Sequence, residues 1–259
     1  MCLRALDTNS LCAKNVRRNE EKMYTFESRI RYSESDSDGK LTMASLLNYF
    51  QDCSTFQSED LGVGVGYMQD IHMVWALSSW QIVVNRYPDV CEKVKIGTIP
   101  YGFKGFLGYR NFVMQSMEGE TLAVANSLWC LLNLKTGKPD MPTSKILESY
   151  QLGEKLPMDY APRKIVIPAG GEEREPIVIK KHHLDTNHHV NNGQYVSIAM
   201  EFLPEDFAVA QLRAEYKKQS FLDDVLYPYV SVEPGRCVIN LADAEGNTHA
   251  AVEFLRKEP

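Results

Sequence analysis

A chain of 259 residues with 44% hydrophobic and 24% charged side chains has the make-up of an ordinary globular protein, long enough for one large core or two smaller ones. Its net charge of −6 argues against a general nucleic-acid binder, which needs a basic surface to neutralise phosphates. The six cysteines (Cys2, Cys12, Cys53, Cys91, Cys130 and Cys237) include no CxxC pair and read as reduced thiols, and no apolar run approaches the roughly 20 residues that span a bilayer.

Residues 1–22, MCLRALDTNSLCAKNVRRNEEK, hold no continuous apolar stretch of signal-peptide length. A cytoplasmic protein with a loosely ordered N-terminal extension is expected. Residues 24–32 alternate as a strand does, SESDSDGK supplies turn residues, and Thr42 is placed to cap a helix. Met43, Leu46, Leu47, Phe50 and Cys53 then recur at helical spacing along one apolar face, which ends near Asp60 before LGVGVG breaks it. Four long β-rich segments follow: HMVWALSSWQIVVNRY, VCEKVKIGTIPY, LGYRNFVMQSM and TLAVANSLWCLLNL. MEGET joins the last two as a hairpin, and KTGKPDMP closes the block.

The second half repeats the plan. EPIVIKK reads as a strand, LDTNHHVNN as a loop and helix start, and Tyr195 to Leu203 as helix. FAVAQLRAEYKKQSF, VLYPYVSVE, RCVINLADA and NTHAAVEFL read as strands, with EGN as a hairpin turn. Residues 150–175, rich in Pro, Gly and charge, suit a linker. A shift of 149 positions overlays the halves, setting Asp36 on Asp185, Asp38 on Asn187, Lys40 on His189, Leu41 on Val190 and Thr42 on Asn191. Strand, helix, then antiparallel strands, done twice, predicts an α+β protein of two tandem hotdog domains, each a long helix wrapped by an antiparallel sheet.

Asp-x-x-x-His-Val-Asn-Asn-x-x-Tyr, Asp185 to Tyr195 here, resembles the signature of hotdog thioesterases. The fuller DTNHHVNN is similar to the segment that opens the second hotdog's helix in the acyl-ACP thioesterases. NRYPDVCEKVKI and SLWCLLNLKTGKP resemble that family's strands at the corresponding places, so the likeness covers roughly residues 24 to 255. It implies hydrolysis of the thioester joining a fatty acyl chain to acyl carrier protein, with no metal or dissociable cofactor. It further implies an N-terminal extension over 1–22, an acyl-binding first hotdog over 23–149, a linker over 150–175 and a catalytic second hotdog over 176–259.

Such chemistry needs an activated water, stabilisation of an oxyanion and a path for protons. In an extended loop, alternate residues share a face, which would turn Asp185, Asn187 and His189 the same way. A helix starting near Val190 would aim free N–H groups at the same spot, donors suited to a developing oxyanion. Asn187 both donates and accepts, a histidine such as His189 exchanges protons near neutral pH, and Asp185 either orients His189 or serves as base itself. The bland alternative makes Asp185 and Asn187 plain turn and capping residues. His182, His183, His188 and His189 lack HExxH spacing, which argues against zinc. His182 and His183 read as solvated loop residues, and Asn191 and Asn192 as residues that tie loop to helix through backbone hydrogen bonds.

One departure from the family stands out. Plant members carry a Glu-Cys pair after EYRR on the strand that follows the helix, and both residues have been assigned catalytic roles. Here the stretch is EYKKQS, with Gln219 at the Glu position and Ser220 at the Cys position. A cysteine mechanism is therefore unavailable there, Gln219 becomes a water-positioning residue, and the base role shifts to Asp185 or His189. Ser220 as nucleophile is the weaker idea. Glu215, four residues back on the strand, is roughly 13 Å away and too far to substitute.

Arg213, Lys217 and Lys218, with Lys180 and Lys181, offer positive charge to an acidic carrier protein or form a solvated strand end. Trp75, Trp80 and Phe112 line an acyl tunnel or are ordinary core. Two alternatives stay open: an acyl-CoA thioesterase of the same fold, and an acyl-ACP-binding protein weakened by the Gln at 219. A dehydratase is disfavoured, because Lys40 stands where a second histidine would be needed. Either a monomer or a homodimer fits, since the tandem already pairs two hotdogs.

Overall fold

The computed structural model describes residue 19 and residues 21–185 and 187–257. They form two compact units, one running to Ala76 and again over Asn85–Tyr160, the other made of Leu77–Val84 and the chain from Ala161 onward.

In the first unit, β1 (Tyr24–Arg29) leads through a 3-10 turn at Tyr32–Glu34 into α1 (Met43–Asp60), 18 residues long. Thr42 starts α1 as its spacing predicted, its hydroxyl accepting from the Ser45 N–H at 3.2 Å. The apolar face (Met43, Leu46, Leu47, Phe50, Cys53) is buried, and α1 packs on β1 and β3. The short α2 (Val65–Asp70) follows, then β2 (Met73–Val84), whose residues from Leu77 onward belong to the second unit. β3 (Lys93–Lys104), β4 (Leu107–Ser116) and β5 (Thr121–Asn133) make the sheet with β1, in the order β1-β3-β4-β5, all antiparallel. The predicted hairpin at MEGET turns at Gly119, whose φ of +88° is open to glycine at no steric cost. β6 (Lys138–Pro139) borders β5, and α3 (Ser144–Ser149) closes the block.

In the second unit come β7 (Glu172–Glu173), β8 (Ile177–Val178), a 3-10 turn at Lys181–His183, and α4 (Asn192–Met200). β9 (Val209–Tyr216), β10 (Val225–Glu233), β11 (Arg236–Ala242) and β12 (Thr248–Arg256) follow. The order is β2-β9-β12-β11-β10-β7, and α4 packs on β11 and β12. Each unit is thus a helix laid on an antiparallel sheet, the hotdog arrangement.

Several elements differ from expectation. The second helix is not long: α4 has nine residues and stops before Leu203, a residue that Pro204 steers away from helical geometry. EPIVIKK yields only the two residues of β8, because Pro176 lacks an N–H at one end and, at the other, the Asp224 N–H turns back to the Phe221 carbonyl instead of returning the bond that Ile179 makes to Asp224. The extension lies outside the described residues up to residue 18. At its end Asn19 is buried, and its amide pairs with both backbone groups of Glu154 at 2.9 and 3.0 Å, so this part is anchored, not loose.

Candidate active site

The motif loop is a turn, not an extended segment. One carboxylate oxygen of Asp185 accepts from the N–H groups of Asn187 (2.8 Å) and His189 (3.2 Å), while the Asp185 N–H donates to the His189 carbonyl at 2.8 Å. His188 sits at φ +61°, the left-handed region that closes such a loop. Strand alternation therefore gives no reason for Asp185, Asn187 and His189 to share a face, since a turn does not keep the twofold period. The described oxygen of Asp185 is spent on backbone N–H groups and not on the imidazole.

The first unit builds the same turn 149 residues earlier. Asp36 accepts from the N–H groups of Asp38 (3.0 Å) and Lys40 (2.9 Å), and Gly39 takes the positive φ at +71°. The preceding 3-10 turns match as well: Glu34 accepts the Arg31 N–H, as His183 Nδ1 accepts the Lys180 N–H. His183 is thus a half-buried capping residue of the loop. Asp36→Ala and Asp185→Ala are each expected to lower the unfolding free energy by about 1–2 kcal/mol. Only Asp185→Ala should also reduce turnover; denaturant titration beside an activity assay reads both.

Asn191 caps α4, its side chain accepting from Gly193 N–H at 2.8 Å and its carbonyl from Gln194 N–H at 2.8 Å. Two first-turn donors are thereby used, which narrows the expected N–H cradle. Asn192 is tied down through its carbonyl, which accepts the Tyr216 hydroxyl at 3.0 Å.

The turn meets the 217–221 segment through one backbone bond, Val190 N–H to the Ser220 carbonyl at 3.0 Å. Asn187 and Gln219 are exposed, His189 is half-buried, and the His189 ring stands edge-on to Phe221 with centroids 5.0 Å apart. Ser220 is fully buried, which removes it as a nucleophile for a substrate arriving from solvent. Its N–H donates to the Tyr195 hydroxyl at 3.0 Å, and that hydroxyl donates back to Ser220 Oγ at 2.9 Å. Ser220 Oγ is also 2.6 Å from His249 Nδ1. Tyr195 and His249 were not foreseen as site residues; the sequence carries no local signal for a histidine 29 positions away from Ser220.

His249 is buried, with Nε2 3.5 Å from Asp243. Burial pushes its pKa below the ordinary value, as does the nearby Lys218, against the opposing pull of Asp243. The hydrogen bond from Lys218 holds Asp243 well below the usual carboxylate range. Because the unfolded chain binds a proton on this histidine more readily than the folded one, stability from His249 is complete above about pH 6.5 and is lost as pH falls toward the folded value. Melting temperature between about pH 5 and 7 should therefore decline toward acid, less steeply in His249→Asn.

Other expected residues lie elsewhere. Arg213 forms an ion pair with Glu253 at 2.6 Å and donates to the carbonyls of Pro162 and Lys164, so its guanidinium is engaged by partners within the second unit. Lys218 pairs with Asp243 at 2.8 Å, and Lys217 is exposed, 3.8 Å from Glu215. Glu215 is buried and accepts the Ile165 N–H. Trp75 packs on the cluster of Val63, Met68, Leu131, Ile146 and Tyr150, and Phe112 is fully buried against Phe50. Trp80, expected in the first half, is buried in the second unit. Among the described residues, no group of three or more His, Cys, Asp or Glu could hold a metal ion, and no helix is long and apolar enough to cross a membrane.

Comparison with known proteins agrees with this layout. An acyl-ACP hydrolase of Cuphea viscosissima chloroplasts is 27% identical over 225 residues, 79% of this chain and 53% of its own length. The chain thus spans about half the length of the curated relatives it matches. Among solved structures, an acyl-ACP thioesterase from Bacteroides thetaiotaomicron superposes with a TM-score of 0.84 at 22% identity, covering 92% of this chain and 99% of that one. The 12:0-ACP thioesterase from Umbellularia californica gives 0.81 at 18% identity, covering 91% and 97%. Both share the fold. The acyl-ACP thioesterase N-terminal domain matches residues 21–150 and the C-terminal domain of the same family residues 169–252, in that order. The chain belongs to the acyl-ACP thioesterase family.

Proposed function

We propose that the chain hydrolyses the thioester between a fatty acyl group and acyl carrier protein. Water adds its oxygen to the carbonyl carbon, the C–S bond breaks, and the water's protons end on the carrier's sulfur and the released acid. His189 takes the proton from water. Asn187 and Gln219, two exposed amides, orient that water and the carbonyl. Asp185 organises the turn that presents His189, instead of acting as base. The reading is carried by the match of both family domains in order, with the Asp185–His189 signature in the second. The test is release of free fatty acid from matched acyl-ACP and acyl-CoA panels, beside the Asp185 and His189 variants. Equal use of both carriers would defeat the ACP assignment.

Lys180, Lys181 and Lys217 are exposed, with Phe221 and Leu222 also partly open to solvent. They form the surface proposed for the acidic carrier, in place of Arg213 and Lys218. Charge reversal at Lys180 and Lys181 should raise KM for acyl-ACP roughly tenfold at low salt, an effect that shrinks as added salt screens the charges.

A second reading follows from Gln219, which has no proton-accepting carboxylate: a protein that binds acyl-ACP without turning it over. It predicts tight binding, no acid release from the natural chain, and activity created by Gln219→Glu.

A further inference from the structure

Ser220 is held at three points: its N–H by Tyr195 on α4, its carbonyl by the Val190 N–H of the motif turn, and its hydroxyl by Tyr195 and His249. Its neighbours in sequence are Gln219 and Phe221, and Phe221 meets His189 edge-on. Ser220 is therefore the pivot through which the motif turn, the helix and the 217–221 segment are set against one another.

The protons of this knot are assigned by elimination. The Tyr195 hydroxyl accepts from Ser220 N–H and donates to Ser220 Oγ, so the Ser220 hydroxyl proton finds an acceptor only if His249 Nδ1, 2.6 Å away, carries a lone pair. Nδ1 then carries a lone pair and the ring proton sits on Nε2, facing Asp243 at 3.5 Å. A ring protonated on both nitrogens offers Ser220 no acceptor. The charged groups around this ring are Lys218, Asp243 and Asp224.

We propose that His249 is a positioning residue of the thioesterase site. As a neutral Nε2–H imidazole it accepts the hydrogen bond of the Ser220 hydroxyl at Nδ1 and so fixes the segment that carries Gln219 and anchors the His189 turn. The inference rests on the hydrolase reading above, and it assigns a role to a histidine outside the Asp185–Tyr195 signature.

The test compares His249→Ala, His249→Asn and Ser220→Ala in the full chain, by acyl-ACP kinetics and by amide hydrogen exchange. Asn offers an acceptor near the position of Nδ1, whereas Ala offers none. In His249→Ala and in Ser220→Ala, kcat should fall about 10- to 100-fold with KM nearly unchanged, as expected for misplaced reacting groups. The double variant should be no worse than either single one, since both remove the same link. His249→Asn should recover most of kcat, and exchange at the Val190 amide should accelerate in His249→Ala but not in His249→Asn. Unchanged Val190 exchange in His249→Ala overturns the proposal whatever the activity, as does faster exchange with undiminished kcat. If the natural chain releases no acid at all, the hydrolase reading itself fails, and the exchange data alone decide whether His249 holds the turn.

Discussion

Replacing His189 with alanine is expected to lower kcat for acyl-ACP hydrolysis by about 100- to 10,000-fold, the range for loss of a general base. The folded state should survive the change. His189's backbone carries the turn, through its N–H to Asp185 and its carbonyl to the Asp185 N–H, and alanine keeps both bonds. Only the half-buried ring and its edge contact with Phe221 are lost. A melting temperature within a few degrees of the parent beside a collapsed kcat is the expected pair of results. Steady-state rates within threefold of the parent would move the base role away from His189, leaving the turn as an architectural feature shared with the Asp36 loop.

The second large effect is on stability. Phe112→Ala should reduce the unfolding free energy by about 3–5 kcal/mol, as loss of an enclosed aromatic ring does. Phe112 lies in β4 between Thr98 of β3 and Ala125 of β5, and its ring meets Phe50 of α1 at 5.4 Å between centroids. With no exposed surface, it joins helix to sheet. Denaturant unfolding measures the loss, and the chain lengths of released acids separate core from tunnel wall. An unchanged profile in a destabilised variant marks the ring as core, whereas a shift to longer acids with little loss of stability marks it as lining.

The face of α4 and the strand ends near it show where local reading stops. Spacing of Met43, Leu46, Leu47, Phe50 and Cys53 located α1 and its cap, because helical periodicity and capping involve residues within four positions of each other. The shift of 149 residues pairs two segments that fold into the same turn, since an aspartate accepting N–H groups two and four residues ahead is likewise a local device. Strand alternation does not describe the motif, because the Asp185 carboxylate curls its backbone into a turn. β8 and α4 came out shorter than their patterns, each beside a proline whose effect on the ladder or helix competes with apolar spacing.

Arg213 shows the other limit. On the chain it is one of several cations near the motif, but the β9–β12 register sets it directly opposite Glu253, and the pair is largely buried. Arg110, similarly, reads as an ordinary strand residue, yet it is enclosed beside Gln57 and Thr98 with its guanidinium over the Tyr150 ring, and burial lowers its pKa. By itself, the sequence determined the two-helix, many-stranded plan, the family and the motif's place, because these follow from short-range pattern. The tertiary structure decided which charges remain available, that Ser220 is a buried pivot, and that His249 is its partner. Those facts depend on strand register and helix placement, which bring together residues far apart in the chain.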